Sequence, residues 1–214
     1  MRNFFFSSMG LGNNASVAPL PTLTHISFLG DSIAAGYGVS NLQYYPYLVS
    51  QNLSLTKIDG GLPGSCLQAG VNEGEAMSGI LRFSDYINPN GLYVIHIGIN
   101  DVGKGGTLAG YQSALNTMLD TLLGTYNSQR IVLCSLAWIN ESTVKSMYSD
   151  YNTYYTTTKH AAFNSAIQTI STQRNTRFCD LYTPFINQNS LLQDGIHPNA
   201  AGHVVLKNTI LANL

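Results

Sequence analysis

Apolar residues in this chain fall into short runs separated by stretches of helical period. The runs His25–Leu29, Leu53–Ile58, Leu92–Ile97, Ile131–Leu136 and Arg177–Leu181 are rich in Ile, Val, Leu and Phe and have the length of strands. Leu108, Tyr111, Leu115, Met118, Leu119 and Leu122 recur at helical spacing and predict one apolar helix face. Phe163, Ala166, Ile167 and Ile170 predict a second, and Ala201, Val204, Val205 and Leu211 a third. Shorter helical signals occur over Pro46–Leu53 and Met77–Leu81. Strands alternating with helices predict a parallel sheet covered on both faces, an α/β fold. Trp138–Thr157, rich in Tyr, Ser, Thr and Asn, breaks the pattern and is expected as irregular surface chain after the fourth strand. In open α/β sheets ligands bind at the carboxyl edge, so chemistry is sought just after each strand.

The first strand runs into Gly30-Asp31-Ser32, and a strand that stops in a tight turn and feeds a helix can hold a serine hydroxyl out at the sheet edge. The second is followed by "DGGLPGSC", where Pro63-Gly64 is a turn signal. The third leads into "GINDVGKGG", and the fifth, after a loop, into "DGIHPNAAGH". A serine hydroxyl is a weak nucleophile that needs an adjacent base. His197 is a candidate base, and Asp194, three residues earlier, can orient its ring and hold its tautomer. Acyl transfer also needs donors aimed at a developing oxyanion, and the backbone N–H groups of Ser32 and Gly64 and the amide of Asn100 are candidates.

These blocks resemble the SGNH or GDSL hydrolases, named for Ser, Gly, Asn and His in four sequence blocks. "GDSIAAG" matches the first with Ser32, "GIND" the third with Asn100, and "DGIHPNAAGH" the last with Asp194 and His197. "LPGSC" is the weakest match and makes Gly64 the best candidate, with Gly61 and Gly70 as alternatives. "YYPYLV", "FNSAIQTI" and "RFCDLY" extend the likeness over about residues 22 to 213. Ile33 stands where the signature usually has Leu, and Cys66 where the second block often has Thr; neither change removes a catalytic atom. The resemblance implies a three-layer α/β/α, flavodoxin-like fold with five parallel strands in the order 2-1-3-4-5. It also implies a serine esterase with Ser32, Asp194 and His197 as catalytic residues; no H-E-x-x-H, Cys-His or carboxylate cluster suggests a metal site, and no cofactor is expected. Regular patterning begins after Pro19 and Pro21, so residues 1–21 are expected to be a leader or linker and 22–214 one hydrolase domain.

Composition narrows the partners. Only 10% of the 214 residues are charged, against about a quarter in ordinary domains, and the net charge is −1. That leaves no basic footprint for nucleic acid and no polybasic patch for anionic lipid. The uncharged polar surface leans towards an extracellular or surface-exposed setting, and no apolar stretch has the length of a membrane span. The opening "MRNFFFSSMGLGNNASVA" has an apolar part too short and broken for a signal peptide. Cys134 and Cys179 lie in apolar runs and read as core residues, while nothing near Cys66 would lower its pKa. "GINDVGKG" mimics a phosphate-binding P-loop, yet Gly105 stands where a Ser or Thr must hold magnesium. His96 is expected as a buried, hydrogen-bonded residue, His203 as a structural residue of the last helix, and Asp31 and Asp101 as local turn acceptors.

For substrate, the low charge points to short acyl esters, including an O-acetylated carbohydrate. Trp138, Tyr148, Tyr151, Tyr154 and Tyr155 offer rings for a sugar-stacking wall or an acyl groove, with Trp138 and Tyr151 named as substrate-binding candidates. A thioesterase or lysophospholipase with a longer acyl pocket is the alternative among enzymes. A carbohydrate-binding module without activity is the alternative outside them.

Overall fold

The computed structural model describes residues 22–72 and 78–214. The leader at 1–21 and the first residue of the Met77–Leu81 signal lie outside the described residues. Five strands, β1 (His25–Gly30), β2 (Thr56–Gly61), β3 (Gly91–His96), β4 (Ile131–Cys134) and β5 (Arg177–Cys179), pair in parallel in the order β2-β1-β3-β4-β5. This is the expected sheet. β3 and β4 are buried along their whole length, which is why they read as unbroken apolar runs rather than alternating ones.

Among the described residues, eight α-helices surround the sheet: α1 (Tyr45–Leu53), α2 (Gly79–Arg82), α3 (Ile99–Gly103), α4 (Leu108–Leu123), α5 (Glu141–Met147), α6 (Ser149–Tyr154), α7 (Thr157–Gln173) and α8 (Ala200–Leu211). Thr107, Asn140, Thr156 and Asn199 cap α4, α5, α7 and α8 by accepting a backbone N–H from the first turn. The predicted faces of α4 and α7 are the buried ones, Leu108 alone staying half-exposed.

Three expectations are corrected. The segment 138–157 is not irregular: Asn140 starts α5, and α6 follows directly. The buried face of α8 is Gly202, His203, Leu206 and Ile210, while Val204 is 43% exposed. A histidine and a glycine counted as polar in the sequence, but His203 faces inward because its Nδ1 accepts the Tyr45 N–H at the start of α1. Finally, β1 does not feed a regular helix. Residues 31–37 form one compact coil closed by Ala35 N–H to Asp31 O and Tyr37 N–H to Ser32 O, and the next helix starts only at Tyr45.

Candidate active site

The strand order decides which loops can meet. β1 lies between β2 and β3, and Gly30 is in register with Gly61 on one side and His96 on the other. The segments that leave these three strands therefore emerge side by side, at the point where the chain reverses its direction across the sheet. Gly30 has no room for a side chain, since a Cβ there would come within 2.2 Å of the Ala34 Cβ. The coil can thus fold back tightly enough to leave Ser32 at the rim.

Ser32 is 7% exposed and its Oγ lies 2.8 Å from His197 Nε2. On the other side of the ring, Nδ1 lies 2.6 Å from Asp194 Oδ2. Asp194 Oδ1 accepts the backbone N–H groups of His197 (2.8 Å) and Ile196 (3.1 Å). Burial alone would raise the Asp194 carboxyl, but the hydrogen bonds from the His197 ring and these N–H groups outweigh it and hold its pKa at about 2. An ionised Asp194 places the imidazole proton on Nδ1 and leaves Nε2 to accept from the serine hydroxyl. Such a chain can take the proton of a serine oxygen as that oxygen forms a bond to carbon.

Asn100 opens α3 just after β3. Its Nδ2 donates to Ser65 O at 3.0 Å, and its Oδ1 accepts the Tyr151 hydroxyl at 3.2 Å. The amide is thereby fixed with its second N–H free of these two contacts. Gly64 has φ +79°, a region that favours glycine, and lines the same cleft. Gly61 instead ends β2 and Gly70 is not part of the cleft wall, whereas Gly64 shares that wall with Ser32.

The cleft has a volume of about 230 Å³. Ser32, His197, Gly64 and Asn100 share its wall with Tyr37, Pro63, Tyr148, Tyr151, Ile196 and Lys104. Tyr37 is 53% exposed, and its ring tilts against His197 with centroids 4.5 Å apart. Trp138, expected in the substrate wall, is half-buried against the core and does not line the cleft. Its place is taken by Tyr148 and Tyr151 from α5–α6, which the sequence pattern did not resolve into helices. Tyr148 also donates to Asp194 Oδ2 at 3.3 Å.

Two supports escaped sequence reasoning. Asp101 is not a local turn acceptor: its carboxylate takes the N–H groups of Leu67 (2.7 Å) and Gln68 (3.0 Å) and the Gln68 side-chain amide (3.0 Å). It ties α3 to the loop that carries Gly64. Burial pushes its pKa up to about 6 despite those bonds. Arg82, buried, donates to Gly60 O, Gly30 O and Ser65 Oγ, gathering the ends of β1 and β2 and the same loop. An isolated Arg in a short helix gives no signal of this kind. Asp31 is the local acceptor expected, taking the Ile33 N–H at 2.9 Å, and burial raises its pKa to about 6. Burial likewise drives the Cys66 thiol upward. The P-loop mimic forms α3. His96 is buried as expected, yet among the described residues its Nδ1 has no hydrogen-bond partner, nor has His203 Nε2.

The solved lipase/acylhydrolase from Enterococcus faecalis superposes with a TM-score of 0.71 at 21% identity, over 89% of this chain and 94% of that one. An acetyl xylan esterase from Geobacillus stearothermophilus gives 0.66 at 19%, over 91% and 95%. The psychrotrophic esterase EstA from Pseudoalteromonas gives 0.65 at 17%, over 89% and 96%. At these identities the likeness speaks for the fold. No curated protein matches the sequence. The model of the GDSL-like lipase/acylhydrolase family matches residues 28–205, which run from β1 into α8 and include every residue of the cleft, and the chain belongs to that family.

Proposed function

We propose that this chain is an esterase for short acyl groups, an O-acetylated carbohydrate among its substrates, working through Ser32, His197 and Asp194. The family accounts for ester hydrolysis. The observation that carries the finer reading is the continuous Ser32–His197–Asp194 hydrogen-bonded chain opening into a cleft of about 230 Å³. Ser32 Oγ attacks the ester carbonyl as His197 Nε2 takes its proton. The carbonyl oxygen, now negative, is held by the N–H groups of Ser32 and Gly64 and the amide of Asn100. Collapse of the tetrahedral species expels the alcohol, which leaves with the proton from His197. Water then attacks the acyl-serine, giving its proton to His197, and the acid departs as Ser32 recovers its hydrogen. Asp194 stays ionised and holds the imidazole throughout. Residues 22–214 are the unit in which this chemistry is contained.

Hydrolysis of p-nitrophenyl acetate, butyrate and octanoate tests the reading. Acetate is expected to turn over fastest, with activity abolished by Ser32→Ala. Equal rates in the two proteins would remove Ser32 from the mechanism. A rate that rises with chain length would replace the short-acyl assignment with a lysophospholipase or thioesterase, and glycan binding without turnover would replace it with a binding module.

A further inference from the structure

Among the described residues, the cleft wall carries one full positive charge and no carboxylate. Lys104, directly after α3, lines the same cavity as Gly64, Asn100 and the two rings Tyr37 and Tyr148. In a chain with only ten Lys and Arg residues, the other lysines have defined tasks or lie elsewhere. Lys57 pairs with Asp59, Lys145 with Glu141, and Lys159 donates to the carbonyl of Val102 at the end of α3. Lys104 makes no ion pair among the described residues. The nearest acid along its helix, Asp101, is occupied by the N–H groups of Leu67 and Gln68. Asp194 spends its oxygens on His197, Ile196 and Tyr148. A half-buried lysine in a cleft walled largely by aromatic and aliphatic groups gains from a substrate that brings the opposite charge.

We propose that Lys104 makes this cleft selective for esters whose alcohol portion carries a carboxylate, as an O-acetylated acidic sugar does. This rests on the esterase reading above and names its substrate class. The sugar ring lies against the exposed Tyr37 and the neighbouring Tyr148, and its carboxylate meets the Lys104 ammonium. The acyl carbonyl is then left at Ser32. The charge acts on the bound substrate, not on the oxyanion, so neutral esters of the same shape are indifferent to it.

Two probes of nearly equal size separate these roles: 4-acetoxybenzoate, anionic at neutral pH, and 4-acetoxybenzamide. Lys104→Gln is expected to lower kcat/KM for the anionic probe by roughly fivefold, the upper range for a partly exposed ion pair. The change should fall on KM, with the amide probe unaffected. Lys104→Arg should keep the preference and Lys104→Glu should reverse it. Added salt should erode the wild-type preference for the anionic probe alone. Equal losses on both probes, or no loss on either, would overturn the assignment of Lys104 while the esterase stands. Failure of the wild type to hydrolyse either probe faster than Ser32→Ala would overturn the esterase reading and this one with it.

Discussion

The Asn100 amide is gripped from two sides, by Ser65 O at its nitrogen and by the Tyr151 hydroxyl at its oxygen. A donor that must meet a charge only in the transition state is most useful when it is already aimed. Asn100→Ala should therefore reduce kcat by ~10²–10³ with little change in KM, measured on p-nitrophenyl acetate. Tyr151→Phe keeps the ring and the amide but removes the grip. A kcat loss of about fivefold at constant KM is expected, the scale of one neutral hydrogen bond. A rise in KM alone would make Tyr151 a substrate contact, as the sequence reading had it. The candidate nucleophile, base, orienting acid and oxyanion donors were legible because their residue types are dictated by chemistry and stand next to turn signals. Tyr151 was legible only as an aromatic ring in a polar stretch. Its hydroxyl contact spans 51 residues of sequence, and no local pattern encodes such a distance.

Elements were legible where one face is apolar and continuous, and illegible where polar residues face inward for a partner elsewhere. α4 shows the first case, its buried Tyr111, Leu115, Met118, Leu119 and Leu122 repeating every three or four residues. α8 shows the second, since the inward position of His203 depends on the start of α1. α5 and α6 were missed because seven- and six-residue helices span too few turns for a periodicity to emerge. Asp101 works at this same scale, joining α3 to the Gly64 loop. Asp101→Ala would leave the buried N–H groups of Leu67 and Gln68 without their acceptor, a cost of about 1–3 kcal/mol for a buried group left unsatisfied. Urea unfolding should register that loss, and kcat should fall with it because the loop that carries Gly64 is no longer tied. Unchanged stability would show that the loop is held without the carboxylate.

Across the whole molecule, burial has shifted several titrating groups in a common pH window. His96, His160 and His203 are lowered to about 4, each chiefly by desolvation, from an ordinary value near 6.5. Their unfolded forms bind protons first, so the stability they contribute is whole above about pH 6.5 and lost as pH falls towards 4. Asp31 and Asp101, raised to about 6, act in the opposite sense and lose stability as pH climbs from about 4 to 6. Three histidines against two aspartates leave a net gain, so Tm should rise from pH 4.5 to 6.5. A Tm that falls over this range would mean that the carboxyl groups dominate. Only the burial of His96, set in the apolar run of β3, was legible in the sequence; nothing around His160, Asp31 or Asp101 showed how deeply each would be buried. The central claim, that Ser32 is a nucleophile activated by His197, has its most direct test in covalent capture. Intact-mass and peptide analysis after treatment with a fluorophosphonate should show a single phosphonyl group on Ser32. That adduct should be absent in Ser32→Ala and greatly slowed in His197→Ala. Labelling elsewhere, or equal labelling of the wild type and the His197 variant, would contradict the account.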